Sequence, residues 1–213
     1  MPIVPVSEFI VAFNASPLTG WGDIEPWELT SRSSELVRHL LTELSEDEYA
    51  IDDDVAVHRS ATVETGSILK GPLILSAGCF VAAGAYLRGG NWLAEDCIIG
   101  PGAELKSSFV FAGTKLAHFN FVGDSILGQG VNLEAGSIIC NYRNERADKD
   151  VLVRLGTRLH RTGITKFGAV VGDNARLGAN AVVAPGALLR PGTVLCRTEL
   201  CDQEISVNPH GGD

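Results

Sequence analysis

The sequence predicts an all-β fold, a parallel β-helix of six-residue repeats, with a helical extension before it and a hairpin inserted near its middle. Three observations carry that reading. Counting by six from Ile51 gives Val57, Val63, Leu69, Leu75, Val81, Leu87, Leu93, Ile99, Leu105, Phe111 and Ala117, so twelve apolar residues fall in unbroken register. Four residues after each position runs a second ladder of mostly small side chains, beginning Val55, Ala61, Ser67, Leu73, Cys79 and Ala85. Glycine numbers 24 while aromatics make up only 7%, which suits a core of small aliphatic groups turned at tight corners. A period of six with one aliphatic and one small inward position marks stacked short strands. It does not follow the 3.6-residue period of an amphipathic helix.

The 213 residues suffice for one large core or one domain with an extension. Residues 1–50 form the extension. Within it, Phe9-Ile10-Val11-Ala12-Phe13 reads as a short extended opening, and Pro17, Gly20 and Gly22 make the next stretch rich in turns. Pro26 suits a first helical turn. Val37, Leu40, Leu41 and Leu44 then fall at helical spacing, giving a one-faced helix over about 26–45 that ends at Glu46-Asp47-Glu48 and docks on the β-helix. The β-helix domain spans 51–200. Its units beginning at Ala117 and Val122 are five residues long, and six resumes at Leu127, Leu133 and Ile139. An irregular insertion occupies about 143–165, where Val151–Leu155 and Arg158–Arg161 flank Gly156-Thr157 as a hairpin projecting from one corner. The repeat returns at Val171, Leu177, Val183, Leu189 and Leu195, with Pro185-Gly186 and Pro191-Gly192 as corner turns. Residues 201–213 read as a flexible polar tail.

A formal net charge of -9 argues against nucleic acid as a partner, which requires positive surface. No apolar run approaches the ~18 residues of a membrane span. Met1-Pro2-Ile3-Val4-Pro5 shows no basic region of a signal peptide. Five cysteines without disulfide-type spacing point to the reducing cytoplasm. Cys79 and Cys97, eighteen apart, are expected to stack as buried small residues. His39, His58, His118, His160 and His210 are too scattered for the three-histidine metal site of a β-helical hydratase, and no Cys or His pairs have zinc-finger spacing, so no metal is expected. Neither a nucleophile elbow nor a phosphate loop is present.

The repeat loses its beat around Ala117-His118-Phe119-Asn120-Phe121-Val122-Gly123-Asp124. His118 comes directly after an inward position, so its ring is expected to face outward, where a neutral imidazole takes protons near pH 7. The alternative is a structural histidine. Glu104 is a candidate to orient it. Arg88 and Lys106 stand eighteen apart and are expected to stack on one ridge about 4.8 Å apart, as a phosphate clamp or as a solvated pair neutralised by Glu104. The insertion region holds Arg143, Arg146, Lys149, Arg154, Arg158, Arg161 and Lys166, seven of the seventeen Lys and Arg residues. That density suits a second phosphate-bearing ligand, or a hairpin kept soluble by charge. Asn141-Tyr142 closes a coil just before the insertion, as a ligand contact or an asparagine turn.

The segment from Leu87-Arg88-Gly89-Gly90 through Glu104-Leu105-Lys106, Ala117-His118, Val122-Gly123-Asp124 and Val131-Asn132 to Ile139-Cys140-Asn141-Tyr142 resembles the hexapeptide-repeat acyltransferases. Within them it is most similar to the acetyltransferase (glucosamine-1-phosphate N-acetyltransferase) domain of GlmU. The similarity resumes at Lys166-Phe167 and Val171-Gly172-Asp173 and runs to about Pro185. The resemblance implies a left-handed coil and a homotrimer with sites between subunits. It implies His118 as general base assisted by Glu104, with Arg88, Lys106, Phe121, Asn132 and Lys166 on the sugar phosphate. Ala135, Asn141, Tyr142 and Ala179 would lie on the acetyl-CoA side, acetyl-CoA being the donor co-substrate. Phe121 stands where the family has a tyrosine, and Ala179 where it has a serine. The family's nucleotidyltransferase half and basic C-terminal tail have no counterpart, so pyrophosphorylase activity is not expected. The implied function is transfer of an acyl group to the amine of a phosphorylated or nucleotide-linked sugar. A non-catalytic trimer that binds nucleotide sugars is the alternative.

Overall fold

The computed structural model describes residues 3–204, and 205–213, most of the expected tail, lie outside it. The chain winds into a left-handed parallel β-helix of triangular section, with sheets of eight, seven and seven strands as its three faces. The first face carries Leu73–Leu75, Asn91–Leu93, Phe109–Val110, Ile126–Leu127 and Ala169–Val171; the second, Ile98–Ile99, Lys115–Leu116, Asn132–Leu133 and Arg176–Leu177; the third, Tyr86–Leu87, Glu104–Lys106, Phe121–Gly123 and Ile138–Ile139. Each two-residue strand points one residue inward, and the longer Leu73–Leu75 points two. Leu93, Val110 and Leu127, then Ile99, Leu116 and Leu133, then Leu105, Val122 and Ile139 are all fully buried. The small ladder fills the corners as expected, with Cys79, Ala85, Cys97, Ala103, Ala175 and Ala181 at 1% exposure or less.

Three parts of the register differ from the sequence expectation. Ile51 is 39% exposed and lies in an antiparallel strand, Tyr49–Asp52, that caps the first coil. Val110 and Leu116, not Phe111 and Ala117, point inward, because Val110 pairs with Leu93 and Leu127, and Leu116 with Ile99 and Leu133. The five-residue steps therefore run from Leu105 to Val110 and from Val122 to Leu127. Both turn the same corner, where Ser107 and Asp124 adopt φ of 48° and 47° and tighten the turn. Phe109 and Phe111 point out of the coil yet are buried, since the first face is covered on its outer side.

The N-terminal extension supplies that cover. The stretch 9–13 does not run extended as the sequence suggested; of Val6, Phe9, Ile10 and Phe13, Ile10 alone has extended backbone. They sit in and around short 3-10 turns, Val6–Glu8 and Val11–Ala15. Spacings of three and four put all four on one side, and each is 3% exposed or less. The expected single helix is two, α1 (Pro26–Ser31) and α2 (Ser33–Leu41), separated at Arg32. The break lets Trp27 and Leu29 of α1 and Leu36, Val37 and Leu40 of α2 all reach the same apolar layer. Glu25 clamps the start of the chain, its carboxylate accepting from the Ile3 amide at 2.6 Å and the Val4 amide at 3.2 Å.

The insertion contains the expected hairpin, Leu152–Leu155 paired antiparallel with Arg158–Arg161. It does not project. Val151, Val153 and Phe167 are fully buried against the same outer layer, and Trp27 stacks near His160 and Phe167. Nor does the tail begin at 201: Leu200–Cys201 is the last strand of the third face, and Asp202 holds Arg143 at 2.7 and 2.8 Å.

Because extension and coil share one core, they should unfold together. Ile10→Val, which removes one buried methylene, is expected to cost about 1 kcal/mol and shift a single urea transition. Two transitions, with only a minor one moved, would show that the extension folds separately.

Candidate active site

The third face and its two edges gather ten of the eleven residues singled out from the sequence. His118 occupies the corner between the second and third faces. The stacking there is tight: a side chain on Gly100 would sit 1.7 Å from the Ala117 carbonyl oxygen, and one on Gly102 would meet the Phe119 ring. Phe119 takes φ of 51° and is 72% exposed, lying over Gly102. Asn120 then pins the corner from inside, its amide donating to the Glu134 carbonyl at 2.8 Å and to Ser137 Oγ at 3.0 Å. The result is an exposed imidazole on a fixed backbone whose own carbonyl accepts from the Gly136 amide at 2.9 Å. Among the described residues, no hydrogen bond or ion pair engages the His118 ring. Ala135 and Ala179 stack above it on the same edge, linked through Asn180 N–H to Ala135 O at 3.0 Å.

The opposite edge, between the third and first faces, carries the cations. Arg88 donates to Glu104 Oε1 at 2.9 Å, and the carboxylate holds the guanidinium above its ordinary pKa. Lys106 donates to both Asp124 oxygens at 2.9 Å. The stacked pair inferred from spacing is therefore present, with each cation neutralised by its own carboxylate. Glu104 is paired with Arg88, and no hydrogen bond joins it to His118. Asp124 was missed as a site residue. Lys106 pairs with Gly123, and Asp124 follows it at the tightened corner, where its carboxylate meets the Lys106 ammonium.

Asp124 also accepts from the Asn141 amide, and Asn141 lies against Gly123 and beside Phe121. Phe121 projects from the third face next to Glu104. Tyr142 is 38% exposed with Lys149 Nζ 5.1 Å from its ring centroid. Lys166 returns to the same place, since the Phe167 amide donates to Asn141 O at 3.1 Å. Burial pushes the Cys140 thiol up, away from thiolate reactivity. Asn132 is the exception, standing on the second face between Lys115 and Arg176.

The basic insertion is mostly spent on tethering itself. Arg143, 4% exposed, binds Asp202, Glu204 and the Pro185 carbonyl. Arg146 pairs with Glu204, Arg154 donates to the Glu204 carbonyl, Lys149 to two backbone carbonyls, and Arg161 to Asp148 and Asp150. Only Arg158 and Lys166 of the seven stay exposed without such partners among the described residues. The insertion is a clasp on the last coil, and the second phosphate site expected there is not formed by these five. Among the described residues there is no cluster of three or more His, Cys, Asp or Glu able to hold a metal, and no helix long and apolar enough to cross a membrane.

No family model matches the chain. It is 31% identical over 190 residues to a bifunctional protein GlmU of Methanococcus vannielii, covering 87% of this chain and 45% of that protein. A bifunctional sugar-1-phosphate nucleotidylyltransferase/acetyltransferase of Sulfurisphaera tokodaii is 30% identical over 170 residues, 78% of this chain and 42% of that protein. The chain belongs to the hexapeptide-repeat family that includes GlmU. It spans less than half the length of these GlmU-like relatives. The crystal structure of a hexapeptide transferase family protein from Anaplasma phagocytophilum superposes with a TM-score of 0.50 at 15% identity, over 67% of this chain and 73% of that one, a likeness of fold.

Proposed function

We propose that the protein is an acyl-CoA-dependent N-acyltransferase acting on the amine of a phosphorylated or nucleotide-linked sugar, with acetyl-CoA as donor. The observation that carries this reading is the exposed His118, its ring unpartnered among the described residues, on a rigid corner across one face from the Arg88–Lys106 row. In the proposed reaction the His118 imidazole accepts a proton from the amine as its nitrogen attacks the thioester carbonyl. The C–N bond forms, the tetrahedral oxyanion collapses, the C–S bond breaks, and the thiolate leaves to be protonated as free CoA.

The two ion pairs suit different tasks. Arg88–Glu104 is substantially exposed, at 43% and 32%, so it is weak and exchanges readily for a substrate phosphate. That exchange would free Glu104 to turn toward His118. Lys106–Asp124 is far more buried, at 19% and 6%, and keeps Lys106 fixed as a second phosphate contact. Asn132 lies round the corner from the other ten residues, and a homotrimer would bring it to the same cleft from a neighbouring copy.

The test is release of CoA thiol from acetyl-CoA with a panel of amino-sugar phosphates and nucleotide amino sugars. Turnover with one acceptor supports the enzyme, whereas acetyl-CoA binding without any turnover supports the binding-protein alternative. Phe121 bears on acceptor choice. Phe121→Tyr adds one hydroxyl beside Asn141, and is expected to lower KM for glucosamine 1-phosphate by about 3- to 10-fold, one hydrogen bond's worth. An unaltered KM would remove Phe121 from the acceptor site.

A further inference from the structure

The second face carries two cations, Lys115 and Arg176, to which the acyl transfer proposed at His118 gives no role, on either side of Asn132. Of the seventeen Lys and Arg side chains, four have no ion pair, hydrogen bond or aromatic partner among the described residues: Lys115, Arg158, Lys166 and Arg176. In a protein of net charge -9 that is a small minority, and two of the four share one column of the second face, with one rung between them. Lys115, Asn132 and Arg176 occupy the same outward position on three successive strands, in the register Lys115↔Asn132 and Asn132↔Arg176. All three are exposed.

At about 4.8 Å per strand the two cations start roughly 10 Å apart, and their long side chains can close on a group lying over the Asn132 amide. They line one concavity of about 600 Å³ whose margin is bare backbone at Gly113, Gly130 and Gly192. A side chain on Gly113 or Gly192 would meet nothing within 4 Å, so the approach is open. The column turns apolar on either side, at Ile98 below and Val194 above, which bounds the charged stretch to these three rungs. Lysines that guard a sheet against strand addition sit at its open edge. These sit on interior rungs, where no edge needs protection. Two uncompensated cations with an amide between them raise the local potential for a dianionic group of matching length.

We propose that Lys115, Asn132 and Arg176 form a diphosphate-binding subsite, Lys115 and Arg176 each holding one phosphoryl group while the Asn132 amide donates between them. The proposal deepens the acyltransferase reading and rests on it, because both substrate classes there carry a diphosphate: a nucleotide-linked acceptor and coenzyme A. A sugar monophosphate lacks the second group and spans only one of the two cations.

The experiment is titration calorimetry of the full chain with UDP, CoA, inorganic pyrophosphate and inorganic phosphate, comparing wild type with Arg176→Gln and Lys115→Gln. Both residues are exposed and have no partner among the described residues, so the variants should fold as wild type does. Wild type is expected to bind pyrophosphate more tightly than phosphate, and each variant to lose roughly tenfold in diphosphate affinity, the worth of one charge-assisted hydrogen bond. Loss confined to UDP assigns the strip to the acceptor, and loss confined to CoA assigns it to the donor. If both variants keep UDP and CoA affinities within twofold, or wild type binds neither, the subsite does not exist. These are binding measurements, so the subsite can fail while acyl transfer stands. Acyl transfer can likewise fail while diphosphate binding stands.

Discussion

Replacing His118 with alanine is expected to lower kcat for acyl transfer by about 10²- to 10⁴-fold, the usual worth of a positioned general base. The side chain is exposed and its ring engages no neighbour among the described residues, so the loss should come without a change in thermal midpoint. The corner is held instead by Asn120, by the close approach at Gly100 and by the backbone bond from Gly136. None of these involves the ring. Two readouts separate a base from a merely bulky group. Added imidazole should restore part of the rate in His118→Ala, and acetyl-CoA affinity should persist because the donor does not depend on the proton acceptor. A variant that keeps more than a tenth of wild-type kcat would sink His118 as the base.

Asp124 is the position where a single change should do most damage to the framework of the site. It is 4% exposed, accepts both of its Lys106 bonds at 2.9 Å, holds Asn141, and sits at φ 47°. Asp124→Ala leaves the Lys106 ammonium, itself only 19% exposed, without its counter-charge. Breaking a buried pair by removing one partner costs about 3 kcal/mol. The left-handed backbone adds to this, because aspartate tolerates it better than alanine. The urea midpoint should fall accordingly. The double variant Asp124→Ala/Lys106→Met should recover part of the loss, since it removes the stranded charge as well. Asp124→Ala within about 0.5 kcal/mol of wild type, set against the ~3 kcal/mol expected, would mean that solvent reaches Lys106 freely.

The site was legible in proportion to how far it obeys the coil's arithmetic. Arg88 and Lys106 were placed on one ridge by a separation of eighteen, and they stack there. Asp124 and the strip through Asn132 follow once the five-residue step is counted, Lys106 pairing with Gly123 and Lys115 with Asn132, whereas the insertion sets Arg176 far beyond that spacing. The pairing of Glu104 with Arg88 does not follow in this way, because a side chain's choice between two neighbours is set by rotamer and distance, which spacing leaves open. The basic insertion misled for a related reason. Arg143 and Arg146 find their carboxylates at Asp202 and Glu204, 59 and 58 residues away, and no local pattern announces a pairing of that range.

What the sequence determined by itself is the solenoid: the period of six, the aliphatic and small inward ladders, the interruption after Tyr142 and the hairpin within it. On the second and third faces one side of each strand is at least partly open, so alternation marks the inward residue, as at exposed Lys115 beside buried Leu116, where the count carried on from Phe111 fell on Ala117 instead. The first face is buried on both sides, and there Phe109-Val110-Phe111 reads as an unbroken apolar run. Such a run is compatible with either register, and a one-residue slip exchanges inside for outside. Only the tertiary structure decided it, by placing the N-terminal turns and helices over that face. Phe111 could then be buried outside the coil while Val110 filled it.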